Sequence, residues 1–292
     1  MTIAISVKIN DGVVLAADSA STVIGEIPGP QGLAPVSNIY NNANKAFNLR
    51  KGWPIGAVTW GAGSLGNASI STLIKDLRDR FSGRDAKRRD WELNRRTYTM
   101  EHVAGKLREF ILEQYTEARK TVPNISDLGF MVAGYSAGAA LADEYLVEIT
   151  NEECAPPRLL HKNEESGISW AGMGEPLNRL VLGYGTGLPV VMQQNLGVPA
   201  NQIQPAIRAI QGALQAPLAL PAMPLQDAID LAKFLADVTI NFWRFAPGAP
   251  VVGGPIEIAA ISKHEGFRWV QRKFYYDRAL NPEEDHDNRE HE

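Results

Sequence analysis

The sequence predicts an α+β fold in which groups of strands are separated by groups of helices. Three patterns lead to that prediction: a strand hairpin opens the chain, two helices with one apolar face follow the first strands, and two strands close the chain after a second group of helices. Alternating βα units would give a different order, so the patterns favour a layered arrangement such as an αββα sandwich.

The chain opens with a predicted β-hairpin. Residues 3–9 alternate with a period of two, and smaller or polar residues occupy the face opposite the apolar one. The apolar face contains Ile3, Ile5, Val7 and Ile9. Asp11-Gly12 is a strong two-residue turn signal, and residues 13–17 return as the second strand, which ends at Asp18.

Between this hairpin and the first helix the pattern changes twice. Residues 22–44 are rich in Pro, Gly and Asn and predict a long inserted loop. Short strand signals follow at 45–49 and 55–60, and the turn Gly61–Ser64 is predicted to lead into a helix. The apolar face of that helix contains Ile70, Leu73, Ile74, Leu77 and Phe81.

A charged insertion at residues 82–99 separates this helix from the next one. A second amphipathic helix is predicted at about 100–120. Its buried stripe is expected to contain Val103, Leu107, Phe110, Ile111 and Tyr115. Both apolar stripes fit two interpretations, burial within one subunit or contact between subunits.

The second half of the chain repeats the order of strands and then helices. Strand signals lie at 129–135, 144–149 and 168–171, with a polar insertion at 151–167. Helical patterns cover 175–184, 188–196, 201–214 and 225–243, and strands are predicted at 255–262 and 267–276. Residues 1–280 are therefore expected to form one domain, and the polar, acidic tail 281–292 is expected to be disordered.

Composition excludes several classes of protein. The 292 residues carry a net charge of −4, and acidic residues interrupt the basic run 84–96, so nucleic acid is not an expected partner. A single cysteine, Cys154, cannot form an internal disulfide and suits a reducing compartment. No apolar run is long enough to span a bilayer, and Lys8 and Asp11 interrupt any signal-peptide pattern, so a cytoplasmic location is expected.

The opening hairpin and one lysine carry a resemblance to a known family. Segment 2–19 resembles the start of mature proteasome β-subunits and their bacterial relatives, in which a threonine begins the first strand, a hairpin turns at a glycine, an aspartate ends the second strand and a lysine lies on the next strand. Thr2, Gly12, Asp18 and Lys45 stand in that order here. The resemblance implies a four-layer αββα sandwich, the fold of Ntn-hydrolases, and homo-oligomeric rings.

Thr2 is the predicted nucleophile. A threonine hydroxyl needs a base, and the α-amine that removal of Met1 would expose has an ordinary pKa of roughly 7.7–8.0, so it can accept the hydroxyl proton near neutral pH. With Met1 in place, Thr2 has an amide nitrogen that cannot act as a base. The small side chain of Thr2 is compatible with removal of Met1 by methionine aminopeptidase.

Three further residues complete the predicted site. The positive charge of Lys45 would lower the pKa of the Thr2 hydroxyl and amine, and Asp18 would keep that lysine charged and oriented. The backbone N–H of Gly63 is the predicted oxyanion donor, because the resemblance places the family's helix-opening glycine there, and Gly61 is the alternative. No metal or organic cofactor is implied.

The sequence departs from the family pattern at three supporting positions. Met173 lies between two glycines where the family keeps a serine, and Ala249 and Val252 precede Gly253-Gly254 where the family keeps an aspartate and a serine. These departures are closer to a divergent bacterial relative near the ancestral β-subunit (Anbu) group than to a standard β-subunit.

Other sites are weaker interpretations. Gly61-Ala-Gly-Ser-Leu-Gly66 matches G-x-G-x-x-G, but no strand ending in a ribose-binding acid follows. No G-x-S-x-G motif occurs, and no His/Cys pair has metal-ligand spacing; His286 and His291 are expected to be solvated.

The predicted function is therefore that of a threonine-type peptidase acting on peptides or unfolded proteins. Two alternatives remain open at this stage, an inactive structural subunit of a proteasome-like particle and an Ntn amidohydrolase acting on a small amide. Substrate preference and any ATPase partner cannot be predicted from the sequence.

Overall fold

The computed structural model describes residues 2–29, 32–122, 124–162 and 164–273, and within them it contains several antiparallel sheets and six α-helices. The strands are β1 Ile3–Ile9, β2 Gly12–Ala17, β3 Ser21–Gly29, β4 Gly32–Tyr40, β5 Ala46–Asn48, β6 Ile55–Gly61, β7 Ser64–Leu65, β8 Ala68–Ser69, β9 Leu128–Gly134, β10 Asp143–Thr150, β11 Glu153–Cys154, β12 Arg158–Leu159, β13 Gly167–Gly172, β14 Glu257–Ser262 and β15 Gly266–Gln271. The helices are α1 Ile70–Phe81, α2 Met100–Arg119, α3 Glu175–Leu177, α4 Leu188–Gln194, α5 Ala200–Leu214 and α6 Leu225–Phe245.

Two sheets contain most of the strands. The first has the order β13-β1-β2-β14-β15, and the second has the order β11-β10-β9-β6-β5 with β12 also beside β10. In the first sheet Ile3 lies opposite Gly172, and Ala17 lies opposite Glu257. The start of β1 and the end of β2 therefore lie at the same edge of the sheet, between the end of β13 and the start of β14.

Three apolar clusters connect these sheets and helices. Helix α6 packs against β1 and β2, and α1 and α2 bury their apolar stripes in a cluster with residues of β6, β9 and β10. A third cluster combines side chains from both sheets, including Val13 and Leu15 from the first and Met131 and Ala133 from the second. Burial within one subunit thus accounts for the apolar stripes of α1 and α2.

The polar face of β1 is buried as well. Ser6 donates to the carboxylate of Glu144 on β10, and the Lys8 ammonium donates to the carbonyl of His161 at 3.2 Å. A buried polar group is tolerated when it has a hydrogen-bond partner. The alternation in the sequence therefore marks two buried faces with different neighbours, α6 on one side and the second sheet on the other.

The predicted loop at 22–44 is wrong. Strands β3 and β4 pair antiparallel along their whole length, with Ser21 opposite Tyr40 and Gly29 opposite Gly32. Within the described residues this hairpin has no third strand, and prolines are tolerated in such edge strands because an outward position needs no ladder hydrogen bond. The Pro- and Gly-rich composition that predicted a loop is therefore compatible with an edge hairpin as well.

The predicted direct passage from the Gly61–Ser64 turn into a helix is also wrong. A short hairpin, β7 and β8, intervenes, and its turn contains Gly66 in the left-handed region at φ +57°. Helix α1 begins only after Ser69, whose hydroxyl accepts a hydrogen bond from the Thr72 N–H at 3.2 Å. This is an N-cap, the signal that fixes the start of the helix.

The remaining strand and helix predictions are confirmed with small shifts at their ends where the structure describes them; residues 274–276 of the last predicted strand lie outside the described residues. The exceptions are the stretch predicted as helix 175–184, which is α3 followed by a π-helical turn at Asn178–Leu182, and the loop 151–167, which contains β11 and β12. The predicted disordered tail 281–292 lies outside the described residues. None of the helices described is both long and apolar enough to cross a membrane.

Candidate active site

The β1–β2 hairpin places Thr2 and Asp18 at the same edge of the first sheet. Thr2 directly precedes β1 and Asp18 directly follows β2. The Asp18 N–H donates to the Ile3 carbonyl at 3.3 Å, and the Ile3 N–H donates to Asp18 Oδ1 at 3.1 Å. The two residues therefore lie beside one another because the hairpin register requires it.

A backbone contact from the residue after β13 holds Thr2. The Met173 N–H donates to the Thr2 carbonyl at 2.7 Å, and the Trp243 indole on α6 donates to the Met173 carbonyl at 3.1 Å. Gly172 has φ +90°, and a Cβ there would lie 2.0 Å from the Thr2 carbonyl oxygen. Only glycine fits this close approach.

Lys45 and Asp18 form a buried ion pair. The Lys45 ammonium is 2.7 Å from Asp18 Oδ1 and also donates to the Ala20 carbonyl. The exposed fractions of the two side chains are 7% and 0%. Burial lowers the pKa of Lys45, while the charge of Asp18 and its hydrogen bond oppose that shift.

Backbone donors complete the surroundings of Asp18. Its Oδ2 accepts from the Ala20 N–H at 3.1 Å and from the Gly253 N–H at 3.0 Å. The Gly253 carbonyl in turn accepts from the Ser19 N–H at 2.9 Å. A carboxylate with this many donors is held in one orientation, so it can hold Lys45 in one orientation too.

Thr2 and Lys45 line one cavity of about 580 Å³. Gly61 and Gly63 line it as well, and Asp18 lies behind Lys45 without being part of the lining. Within the described lining, Lys45 supplies the charged side chain. The structure therefore brings three of the four predicted site residues to one cavity and joins the fourth to it through Lys45.

The two glycines predicted as oxyanion donors differ in their backbone geometry. Gly61 has φ +89°, and a Cβ there would lie 2.0 Å from the Asp127 carbonyl, which also accepts from the Ala62 N–H at 2.9 Å. A Cβ on Gly63 would meet only the Ser21 hydroxyl, at 3.4 Å. Both glycines line the cavity, but the backbone of Gly61 is constrained by the carbonyl just before β9, whereas that of Gly63 is not.

Two charged residues that the sequence motifs did not predict, Glu257 and Lys273, lie beside Lys45. Glu257 accepts from the Lys45 backbone N–H at 3.3 Å, and Lys273 lies 3.5 Å from the Glu257 carboxylate. The positions predicted to lack family side chains take other roles: Val252 is buried in the apolar cluster under α6, and Met173 contributes its backbone N–H.

The alternative sites gain no support. The segment matching G-x-G-x-x-G forms the β7–β8 hairpin, so it does not join a strand directly to a helix. Across the described ranges no group of three or more His, Cys, Asp or Glu side chains is arranged to hold a metal ion.

Comparisons with known proteins give structural neighbours only. No protein-family model and no curated protein matches the chain. Solved structures similar to it include Anbu (ancestral beta-subunit) from Yersinia bercovieri, with 13% identity and a TM-score of 0.49, covering 94% of this chain and 89% of that chain. An Anbu (Gly-1) mutant from Hyphomicrobium sp. strain MC1 has 15% identity and a TM-score of 0.48, covering 96% of this chain and 91% of that chain. A further Anbu structure from that strain has 15% identity and a TM-score of 0.47, covering 93% and 86%.

Proposed function

We propose that this chain is an N-terminal-threonine hydrolase, a proteasome-like peptidase whose nucleophile is Thr2 after removal of Met1. The observation that supports this most directly is the buried Lys45–Asp18 pair, with Lys45 lining the same cavity as Thr2. An ammonium that shares a cavity with a hydroxyl can favour ionisation of that hydroxyl through its positive charge. The three apolar clusters support a four-layer αββα sandwich, the Ntn-hydrolase fold, as the framework of this site.

The proposed reaction is acyl transfer through Thr2. The Thr2 Oγ1 attacks the substrate carbonyl carbon while its proton passes to the Thr2 α-amine, and a backbone N–H, proposed to be that of Gly63, binds the oxyanion. The C–N bond then breaks, and the leaving amine takes the proton from the α-ammonium. Water hydrolyses the resulting ester, which releases the acid and restores the Thr2 hydroxyl.

The proposed substrates are peptides or unfolded proteins, cleaved in the cytoplasm by a homo-oligomeric ring. No metal or organic cofactor takes part in the proposed steps. Within the described lining, the cavity combines apolar and uncharged polar side chains with the ammonium of Lys45. This composition suits the insertion of uncharged substrate side chains.

An inactive structural subunit is the second candidate function. Val252 packs into an apolar cluster where the family keeps a hydroxyl, and Met173 offers only its backbone donor near Thr2. These two positions remove side-chain hydroxyls that could assist the α-amine. An amidohydrolase acting on a small amide would use the same Thr2 chemistry and differ only in substrate size.

The first test combines intact-mass measurement with labelling by a threonine-directed epoxyketone. We expect loss of Met1 and a single adduct on Thr2. Thr2→Ala should abolish both the adduct and cleavage of fluorogenic peptides, whereas Thr2→Ser should keep part of each because it retains a hydroxyl.

The matched control is Thr116→Ala, which replaces an exposed threonine on α2. This variant should cleave the fluorogenic peptides at the parental rate. Retention of Met1 would eliminate the mechanism. A processed chain that neither labels nor cleaves peptides would favour the structural subunit, and labelling with cleavage of small amides alone would favour the amidohydrolase.

A further inference from the structure

A second buried ion pair lies behind Lys45. The Lys273 ammonium is 3.5 Å from Glu257 Oε2, and the exposed fractions of the two side chains are 6% and 2%. Glu257 begins β14 and lies opposite Ala17, the residue before Asp18. Two lysines and two carboxylates are thus buried together, and their formal charges cancel.

Lys273 contacts both segments that carry the predicted catalytic charges. Its ammonium donates to the Ser19 hydroxyl at 2.6 Å and to the Ala43 carbonyl. Ser19 follows Asp18, and Ala43 lies two residues before Lys45. A backbone hydrogen bond also joins these two segments directly, from the Ala43 N–H to the Ser19 carbonyl at 3.0 Å.

Glu257 completes the connection to Lys45. The oxygen that pairs with Lys273, Oε2, also accepts the Lys45 backbone N–H at 3.3 Å. The other side of Lys45 is fixed by the Thr59 N–H, which donates to the Lys45 carbonyl at 2.9 Å. The backbone from which the Lys45 side chain extends is therefore held by the second ion pair.

We propose that Lys273 and Glu257 form a positioning pair that fixes Lys45 and sets the electrostatic potential at its ammonium. This role deepens the proposed function and rests on it. Among the described residues, the charged side chains Asp18, Glu257 and Lys273 act on the Lys45 ammonium. Asp18 and Glu257 raise the pKa of Lys45, and Lys273 lowers it, so the pair carries two opposing influences on one ammonium.

The opposing signs provide a test that a purely structural role would not satisfy. Glu257→Gln removes a negative neighbour and should lower the pKa of Lys45, while Lys273→Met removes a positive neighbour and should raise it, each by about one pH unit. The double variant should return the value toward that of the parent. Lys273→Arg keeps the charge and should change it least.

The measurement is titration of the lysine side-chain nitrogens by NMR in protein labelled with ¹⁵N-lysine, with the Lys45 resonance identified from its loss in Lys45→Arg. Each variant is first checked for folding by circular dichroism. The exposed pair Lys233–Asp237 on α6 provides the control, because Lys233→Met should leave the Lys45 titration unchanged.

The pH profile of kcat/KM gives the functional readout, and its alkaline limb should move with the NMR titration. Shifts of the same sign in both single variants, or no shift in either folded variant, would overturn the positioning role. If one single variant fails to fold, the double variant and Lys273→Arg decide, since a shift of Lys45 in Lys273→Arg as large as one pH unit also contradicts it. A chain without peptidase activity would refute the proposed function while the NMR titration still tests the pair.

Discussion

At Asp18, each carboxylate oxygen accepts two hydrogen bonds, so four donors surround a side chain that is fully buried. The Lys45 ammonium is one of them, and the other three are backbone N–H groups. A buried ion pair gains little net stability from its Coulomb attraction, but removal of one partner leaves an uncompensated charge. The consequence is that Asp18 is expected to matter for folding as well as for the orientation of Lys45.

The variant Asp18→Asn tests this expectation. The amide presents one oxygen instead of two acceptors and leaves Lys45 buried without its nearest counter-charge, so the free energy of unfolding should fall by about 3–5 kcal/mol. Urea denaturation followed by circular dichroism measures the change. Asp237→Asn, in the exposed pair with Lys233, is the control and should change stability little. A stability for Asp18→Asn equal to that of the control would contradict the account.

The sequence predicted Asp18 because a short hairpin fixes its place near Thr2, and it predicted Lys45 through the resemblance to proteasome β-subunits. It did not find Glu257 and Lys273, which lie 212 residues beyond Lys45 and 254 residues beyond Ser19. No local pattern distinguishes a lysine that becomes buried from one that stays in solvent. The pairing of β14 with β2 brings Glu257 to the site, and the pairing of β15 with β14 brings Lys273 beside it.

Among the elements, the segment between β6 and α1 determines where the cavity wall lies. The sequence predicted a glycine turn there but not the β7–β8 hairpin, because two-residue strands leave no period to detect. The start of α1 was predicted too early for the same reason, although the Ser69 N-cap and the apolar stripe of the helix are both visible in the sequence. Composition likewise predicted a loop at 22–44, whereas β3 and β4 form an antiparallel hairpin there.

Two glycines of that segment, Gly61 and Gly63, should respond differently to an added Cβ. Gly61→Ala forces a side chain into the left-handed region and against the Asp127 carbonyl, so it should lower the free energy of unfolding by about 1–3 kcal/mol or more. Gly63→Ala meets only the Ser21 hydroxyl and should unfold almost like the parent. Thermal or urea unfolding of the two variants tests this, and equal stabilities would show that the β6 end tolerates a Cβ.

Over the described residues, ten of the thirteen large apolar side chains that remain exposed lie beyond residue 150, and six of these lie on α4 to α6. Those on α4 to α6 are Val190, Val191, Leu214, Phe234, Phe242 and Phe245. The apolar stripes predicted for α1 and α2, by contrast, are buried within the subunit. Exposed apolar patches on a folded subunit commonly mark contact surfaces, so assembly, which stays a prediction, is expected to involve α6 rather than the stripes of α1 and α2.

Phe245 is the most exposed of these six side chains, with an exposed fraction of 78%. Phe245→Ser should leave the unfolding of the subunit nearly unchanged and weaken a homo-oligomer tenfold or more, equivalent to about 1.4 kcal/mol. Native mass spectrometry over a concentration series measures the assembly. The control is Val23→Ser, an exposed apolar side chain on β3. If Phe245→Ser does not weaken the homo-oligomer, the contacts between subunits do not involve this side chain.

The anchoring of Thr2 has a consequence for the order of events during biosynthesis. Thr2 is only 4% exposed, and its carbonyl accepts a hydrogen bond from the Met173 N–H. We therefore expect that an aminopeptidase cannot bind this residue once the first sheet has formed. Under the proposed function, Met1 would therefore have to be removed before the first sheet forms. Molecules that fold first would keep an amide nitrogen on Thr2 and stay inactive, so the relative timing of cleavage and folding would set the active fraction of a preparation.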